Sequence, residues 1–370
     1  MKIAFILQSA SHARYWRRIE KLQKEGATPS VLAFERNTYA GKKEEKNYTP
    51  LANIQQENYV KRLIPLLKSM GTIRKNLNHT DVIYAFGVDT FIIAWLASRL
   101  KGKKIKFVYE VGDIRKVFMG EGLMAKTFRF LERRILNRTD LLVVTSEAFV
   151  EEYFTKIQGQ NTIKYHVIEN KPELTEEKIQ AKDTALEDGK ITIGYFGVLR
   201  CRNSLEILKN IGKNHSEKFN IYIRGVAQGT EDLLEEINTL DNVVVEGEYK
   251  VPEDLYAMYA KIDVNWACYP YQGEKPGNWL WAKTTRFYES CFFRTPMVTQ
   301  EQSQDALFTE KYGVGIAVSL KEMDQSAEKI GELGPEAIKK MQARFHDLPK
   351  ETIKYQQEHK ELIDQLSSKE

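Results

Sequence analysis

Two short segments in the second half of the chain carry residues suited to binding an anion. In the first, Gly197 closes an apolar run and is followed by Arg200 and Arg202. Glycine lets backbone N–H groups approach a phosphate closely, and arginine can donate to it bidentately. In the second, Arg286 precedes Glu289 by three residues, so on a helix the two share a face. The first spacing favours contact with a phosphate and the second a cation and a carboxylate side by side, although surface arginines and an ordinary helical ion pair would look the same.

Polar residues that could handle a proton follow apolar runs in the first half. Glu110 and Asp113 come at the end of the run 105–111, and His12 follows the run 2–7. A carboxylate or an imidazole in such a place can orient a hydroxyl group or take its proton. The alternatives are that the carboxylates cap a helix and that the histidine is structural.

A basic stripe and an apolar loop in the first half predict contact with anionic lipid. The stripe consists of residues three to four apart on one helix face: Arg14, Arg17, Arg18 and Lys21. Further lysines and arginines follow at 101–106 and 129–134. The loop 118–124 contains glycine and begins with Phe118 and Met119. A solvated basic face and an ordinary loop are the alternative.

The charge of the chain supports an anionic partner for its first half. Residues 1–170 hold 29 Lys and Arg against 17 Asp and Glu, whereas the remaining 200 hold 26 against 34. Such asymmetry is typical of proteins that meet a membrane surface, nucleic acid or a phosphorylated substrate. No cleavable signal or apolar run of membrane-spanning length is present, and three scattered cysteines fit neither a zinc nor a redox motif. The sequence predicts a reduced, cytoplasmic protein.

The elements that must position these residues form a β/α array that starts twice, at Met1 and at Ile191. We therefore expect an α/β fold of two Rossmann-like, doubly wound domains facing each other across a cleft. Ligands of such sheets bind at the carboxyl ends of the strands. The predicted parts are an N-terminal domain at 1–170, a linker at 171–189, a C-terminal domain at 190–345 and a helical tail at 346–370. The tail is long enough to reach back over the first domain.

Hydrophobic patterning predicts the individual elements. In the first half, strands are expected at 2–7, 29–34, 81–86, 105–111, 141–145 and 166–170, and helices at 59–76, 89–100, 124–137 and 148–156. The polar stretch 35–51 is expected to be a loop, and Pro65 to kink or end its helix. In the second half, strands are expected at 191–196, 220–223, 243–245, 264–267 and 297–299, and helices at 203–214, 230–240, 253–262 and 285–293.

Several segments in this order resemble the GT-B glycosyltransferases, and family 4 in particular, the retaining enzymes common in bacterial surface-polysaccharide assembly. In the second half these are IGYFGVLR at 193–200, DLYAMYAKIDV at 254–264, RFYE at 286–289 and TPMV at 295–298. In the first half they are YEVGD at 109–113 and TDLLVVTS at 139–146. The likeness covers nearly the whole chain, and no single motif in it is decisive.

The resemblance implies roles for the anion-binding residues. Arg200 would lie near the diphosphate of a nucleotide-sugar donor, with Arg202 a weaker candidate. Glu289 would accept hydrogen bonds from ribose hydroxyls, and a cation before it, Arg286 or Lys283, would hold phosphate. The donor-binding set is then Gly197, Arg200, Arg202, Lys283, Arg286, Tyr288 and Glu289. No metal or cofactor is implied, since fixed cations replace a metal held by an Asp-x-Asp motif; UDP or GDP is the favoured nucleotide.

Two departures from the family pattern limit which residue roles can be transferred to this sequence. Many members have a second glutamate eight residues before the first, at the donor sugar, and here that position is Trp281. Trp279 and Trp281 could stack on a sugar or base, or anchor a long loop. The usual glycine pair of the first loop is replaced by Ser9-Ala10-Ser11.

The sequence thus predicts a retaining, metal-independent glycosyltransferase that moves a sugar to a lipid-linked precursor of a capsule or exopolysaccharide. It would be peripheral on the inner face of the cell membrane. One alternative is a sugar-nucleotide 2-epimerase of the same fold, which would require more acid and base groups than six histidines suggest. The other is a nucleic-acid-binding protein using the basic half, which lacks interleaved stacking aromatics; we expect no nucleic-acid partner.

Overall fold

The computed structural model describes residues 1–35, 46–54, 59–99, 105–179, 189–273 and 275–368, without the side chains of residues 59–63. The chain forms two compact units. The first comprises Met1–Glu169 with Gln357–Glu370, and the second comprises Asn170–Gln356. Positions 101–104, part of the predicted basic group, and 180–188, about half of the predicted linker, lie outside the described residues.

The first unit is built on a seven-stranded parallel sheet with the strand order β3-β2-β1-β4-β5-β6-β7. Its central strands are nearly continuous apolar runs and are buried, because helices cover both faces of such a sheet. The strands are β1 Lys2–Leu7, β2 Thr28–Glu35, β3 Thr49–Asn53, β4 Val82–Phe86, β5 Lys106–Val111, β6 Leu141–Val144 and β7 Tyr165–Val167.

The helices of the first unit connect these strands. They are α1 Ala13–Lys24, α2 Tyr59–Asn76, α3 Val88–Ser98, α4 Lys116–Met119 and α5 Leu123–Leu136, followed by a π-helix at Phe149–Thr155. Because βαβ crossovers are right-handed, α2, α3 and α5 lie on one face of the sheet, and α3 contacts both of the others. The last helix of the chain, which we call α15 (Glu358–Ser367), returns to this unit and packs against α1.

The second unit is a six-stranded parallel sheet with the order β10-β9-β8-β11-β12-β13. Its strands are β8 Ile191–Leu199, β9 Phe219–Ala227, β10 Val243–Glu246, β11 Val264–Trp266, β12 Met297–Gln300 and β13 Gly315–Val318. Its helices are α6 Arg202–Asn214, α7 Glu231–Ile237, α8 Leu255–Ala260, α9 Asn278–Trp281, α10 Thr285–Phe293, α11 Gln304–Tyr312, α12 Met323–Gly331, α13 Pro335–Arg344 and α14 Lys350–Ile353, with short 3₁₀ turns at Glu176–Lys178 and Phe345–Asp347.

The structure confirms the prediction of two doubly wound α/β units and corrects several elements. The expected loop 35–51 ends in β3, a partly exposed edge strand whose Pro50 hides it from sequence patterning. Helix α2 continues through Pro65. The segment after β6 is a π-helix instead of an α-helix, and β13, α9 and α11 were not predicted.

The unit boundaries differ from the predicted ones. The described residues of the predicted linker, 171–179 and Gly189, belong to the second unit, where the Thr175 N–H donates to the Tyr256 hydroxyl at 2.8 Å. The tail divides, with Phe345–Asp347 and Lys350–Ile353 in the second unit and α15 in the first. Within the described ranges, no helix combines the length and the apolar character needed to cross a membrane.

Candidate functional site

The order of strands in the second sheet places a crevice between β8 and β11. From β8 the chain winds outward to β9 on one side, and β11 pairs with β8 on the other. Such a reversal of strand order is where doubly wound sheets bind ligands, beyond the carboxyl ends of the strands. Gly197 lies near the end of β8, and Cys268 follows β11.

Arg286 spans this crevice. One guanidinium nitrogen donates to the Phe196 carbonyl of β8 at 2.9 Å, and another donates to the Cys268 carbonyl after β11 at 2.7 Å. The guanidinium also lies over the Tyr195 ring, 5.3 Å from its centroid. These contacts fix a half-buried positive charge at the point where the two strands diverge. A guanidinium carries five N–H donors, so one held by two carbonyls can still donate to an anionic ligand.

Helix α10 sets the position of Arg286 and Glu289. Thr284 caps the helix by accepting a hydrogen bond from the Phe287 N–H at 3.1 Å. Arg286 therefore lies in the first turn, at the end of the helix whose partial positive charge favours anions. Glu289 follows one turn later and is buried. The helix thus presents a cation and a carboxylate in succession.

A buried hydrogen-bond network holds Glu289. The Tyr259 hydroxyl donates to one carboxylate oxygen at 2.9 Å. Asn265 of β11 donates to the Tyr259 hydroxyl at 3.0 Å, to the Arg286 carbonyl at 3.2 Å and to the Ser290 hydroxyl at 2.7 Å. Burial, and then the Glu289 charge, raise the pKa of Tyr259 well above its ordinary value, so Tyr259 stays a donor. The network fixes Glu289 and the backbone of Arg286 together.

The backbone at the ends of β8 and β9 is shaped by glycine. Gly197 has a φ of +109°, in the region that favours glycine. Gly225 pairs with it on β9, and a Cβ added there would lie 1.9 Å from the Gly197 carbonyl oxygen. A Cβ added at Gly197 would lie 3.7 Å from the Tyr249 hydroxyl. The close approach of these strands therefore requires glycine and leaves open backbone beside Tyr249.

Asp305 of α11 supports the start of α10. Its two carboxylate oxygens accept from the Thr284 N–H at 3.0 and 3.3 Å. Burial raises the pKa of Asp305 to about 7, against the opposing effect of the hydrogen bonds from Thr284 and the charges of Lys283 and Arg286. Lys283 is itself half-buried, with its ammonium 5.7 Å from the centroid of the Phe287 ring.

The other residues predicted for the donor are placed differently. Arg200 is exposed in the loop after β8. Arg202 is exposed at the start of α6 and forms a bidentate ion pair with Asp232 of α7. Tyr288 is buried in the core of the unit beside Phe287, because its helix position faces the sheet. Arg202 is thus held by α7, and Tyr288 is a core residue of the unit.

The two tryptophans of the loop before α10 are packing residues. Trp279 and Trp281 are both buried, and the Trp279 indole N–H donates to the Lys275 carbonyl at 2.9 Å. Of the two alternatives predicted for them, the anchoring of a long loop therefore describes the structure, and the stacking of an exposed face on a sugar does not.

In the first unit, Glu110, which was predicted as a catalytic residue, is a buried ion-pair partner. The Arg18 guanidinium donates to its carboxylate at 3.1 Å, Arg14 lies 3.5 Å away, and the Tyr84 hydroxyl donates to it. Burial alone would raise the pKa of Glu110, but Arg18 and Arg14 outweigh it and the net pKa is lowered. Glu110 is thus an internal anion.

Two residues predicted to touch lipid are also internal. Arg18 is buried and, besides Glu110, donates to the Ile168 carbonyl at 3.1 Å and contacts His359 of α15 at 2.8 Å. Phe118 is buried against Phe128 and Tyr153. Neither can meet a membrane, because their contacts lie inside the unit.

The remaining predicted residues of the first unit lie at its surface. Arg17 and Asp113 are exposed, and Arg14, Lys21 and Met119 are partly exposed. His12 is exposed before α1, with its ring stacked on Tyr15 at 4.3 Å between centroids. The structure therefore leaves Asp113 and His12 accessible after β5 and β1.

Sequence reasoning missed three residues that organise the second unit and assigned Arg14 of the first unit only to membrane or acceptor contact. Arg14 lies over Gly112, where an added Cβ would be 1.9 Å from its guanidinium. Tyr259, Asn265 and Asp305 support α10. Asn265 is a polar residue in an otherwise apolar strand, which is the one signal that could have identified it.

This architecture is typical of the GT-B glycosyltransferase fold: one chain forms two doubly wound units, and the second has a cationic crevice at its strand reversal. Comparison with solved structures establishes this fold for the chain. Anabaena HepE in complex with UDP and glucose matches with a TM-score of 0.70 and 14% identity, covering 100% of both chains. Sucrose-phosphate synthase from Thermosynechococcus elongatus matches with a TM-score of 0.69 and 14% identity, covering 99% of this chain and 98% of that one.

A sequence relative adds a biological context. The chain is 26% identical over 291 residues to the succinoglycan biosynthesis protein ExoL of Rhizobium meliloti, which corresponds to 74% of this chain and 68% of that protein. No family model matches the chain.

Proposed function

We propose that the protein is a glycosyltransferase of polysaccharide biosynthesis that takes its sugar from a nucleoside-diphosphate donor. The observation that carries the proposal is Arg286, a cation fixed between β8 and β11 at the strand reversal. The similarity to ExoL, named for succinoglycan biosynthesis, supports the polysaccharide class of product. The likeness to HepE, solved with UDP and glucose, supports a nucleotide-sugar donor and favours UDP.

In the proposed donor site, two parts of α10 bind different parts of the nucleotide. Arg286 and the N-terminal turn of the helix hold the diphosphate, since both favour anions. Lys283 and the exposed Arg200 contribute further positive charge. Glu289 accepts hydrogen bonds from the vicinal hydroxyls of the ribose, to which a carboxylate can offer two oxygens. Gly197 lets the backbone approach the phosphates.

The proposed reaction needs these fixed charges in place of a metal ion. The bond between the anomeric carbon and the phosphate oxygen breaks, and the negative charge that develops on the leaving diphosphate is stabilised by Arg286. The acceptor oxygen forms the new bond to the anomeric carbon with retention, and its proton passes to the leaving phosphate. Asp113 and His12 remain proposed contacts for the acceptor hydroxyl group, and the acceptor is proposed to be a lipid-linked glycan.

A thermal-shift panel of UDP, GDP, CMP, ADP and dTDP tests the donor site. At ligand about 100-fold above its dissociation constant, a specific nucleotide should add about 3 kcal/mol of stability. We expect one nucleoside diphosphate to do so in the wild type and the shift to be lost in Glu289→Gln.

Glu246→Gln is the matched control, because Glu246 also accepts from a tyrosine hydroxyl, that of Tyr222 at 2.7 Å. Its shift should equal that of the wild type. The absence of a shift with every nucleotide, or equal shifts in the wild type and Glu289→Gln, would contradict the proposed site.

A further inference from the structure

Helix α5 exposes an apolar face on the side opposite the sheet. Leu123 is 81% exposed, Met124 65%, Phe130 50% and Leu131 42%. These positions are one, six, seven or eight residues apart, so they lie within one stripe along the helix. The opposite stripe, with Ala125, Glu132 and Leu136, is buried. The helix is therefore apolar toward both the sheet and the solvent.

Neighbouring helices extend this apolar surface. Ile64 of α2 is 63% exposed and Leu67 is 48% exposed. Trp95 of α3, which lies between α2 and α5, is half-buried. Single exposed hydrophobic residues are common, whereas a cluster on adjacent helices marks an interaction surface. We call this surface the α2/α3/α5 face, defined by Ile64, Leu67, Trp95, Leu123, Met124, Phe130 and Leu131.

The charges around the α2/α3/α5 face have one sign. Arg134 lies over the Phe130 ring at 4.9 Å, and Arg99 and Arg138 lie over the Trp95 ring at 5.1 and 5.9 Å. Further exposed basic residues on the same helices or next to them are Lys68, Arg74, Lys75, Lys126 and Arg133.

Acidic side chains are few on the same surface, and the exposed Glu121 lies just before α5. Residues 64–77 contain none, and the only one in 123–138 is Glu132, which is buried and accepts from Tyr109 and Gln158. On α3, Asp89 is held by Arg115. The exposed charge of the face is thus basic, and it complements an anionic partner.

We propose that the α2/α3/α5 face binds an anionic lipid bilayer, with its apolar side chains at the level of the headgroups and its arginines on lipid phosphates. Leucine, methionine and phenylalanine gain free energy on leaving water, and long basic side chains lie along them while keeping their charge at the headgroups. A tryptophan flanked by arginines is suited to the same boundary. Nucleic acid would also complement the basic charge of this face, but it would leave the exposed leucines in water.

This surface differs from the stripe on α1 that sequence spacing suggested, because Arg18 of that stripe is internal. The proposed lipid binding also does not depend on the donor site, because binding to vesicles needs neither nucleotide nor acceptor. Failure of one proposal therefore leaves the other testable.

Vesicle flotation with the full chain tests the proposal. The vesicles are phosphatidylcholine alone or phosphatidylcholine with about a third of phosphatidylglycerol. We expect the wild type to float with the anionic vesicles and much less with the neutral ones. The double variant Phe130→Gln/Leu131→Gln should bind the anionic vesicles about tenfold or more weakly. Arg134→Gln/Arg138→Gln should also bind weakly, with less dependence on salt.

Leu307→Gln on α11 is the matched control, because Leu307 is equally exposed but lies in the second unit. It should bind as the wild type does, and thermal unfolding should show that all variants are folded. Equal binding by the wild type and Phe130→Gln/Leu131→Gln, or no binding of the wild type to anionic vesicles, would overturn the proposal. So would a dimer in solution that this double variant dissociates, since the face would then join two copies.

Discussion

Charged side chains in the interior of each unit are held by specific partners. Arg286 and Glu289 were predicted as a pair on one helix face, and the structure places the arginine at the strand reversal and the glutamate one turn behind it. Glu110 and Arg18 were assigned separately to catalysis and to lipid, and they are one buried ion pair. Spacing along the chain cannot show this, because the pair joins residues 92 positions apart.

Asp305 makes the stability of the second unit depend on pH. Its pKa is raised to about 7 by burial, from an ordinary value of 3.8. Below the lower value both the folded and the unfolded chain hold the proton. As pH rises toward 7 the unfolded chain releases it first, so the carboxyl group contributes progressively less stability. Relative to Asp305→Asn, the wild type should therefore lose on the order of a few kcal/mol between about pH 4 and about pH 8.

Chemical denaturation of both proteins across this range measures the difference. Asp241→Asn, at an exposed position of the same unit, serves as the control and should run parallel to the wild type. A constant difference between the wild type and Asp305→Asn at all pH values would contradict the assigned burial of the charge.

At the scale of elements, hydrophobic patterning predicts the buried strands and the amphipathic helices well. The central strands β1, β4, β5 and β8 are apolar runs that end at polar residues, and their pattern is unambiguous. The edge strand β3 and the short helix α9 were missed because tertiary packing, and not local pattern, specifies them. The continuation of α2 through Pro65 likewise depends on the contacts of that helix with α3 and β3.

Arg18 ties three elements of the first unit together: it joins α1 to Glu110 of β5 and to His359 of α15. In Arg18→Ala the buried carboxylate of Glu110 would lose its main partner, so we expect a loss of about 3–5 kcal/mol in the free energy of unfolding. The neighbouring Arg17→Ala removes an exposed charge and should change it by about 0.5 kcal/mol or less.

Denaturation with hydrogen exchange distinguishes these outcomes and locates the effect. Protection should fall in α1, β5 and α15 of Arg18→Ala, while the second unit keeps the protection of the wild type. Equal stabilities of the two variants would show that the internal ion pair is not the role of Arg18.

At the scale of the whole molecule, the repeated start of a β/α array predicted the fold, and the structure and the comparisons confirm it. The path of the chain after 345 was harder to predict, since its segments divide between the two units. The basic excess of the first half was visible from composition alone. Its distribution was visible only in part: the basic group 129–134 and the loop 118–124 were predicted, whereas the exposed apolar residues of α5 form a surface with α2 and α3 only in the fold.

The proposed transferase activity is tested by measuring the release of nucleoside diphosphate from a panel of nucleotide sugars, with a lipid-linked glycan fraction as acceptor. We expect release from one donor that rises with acceptor, persists with a metal chelator and falls about 100-fold or more in Arg286→Gln. Glu246→Gln should retain the rate of the wild type. Binding of a nucleotide without release from any sugar donor, or full activity of a folded Arg286→Gln, would contradict it.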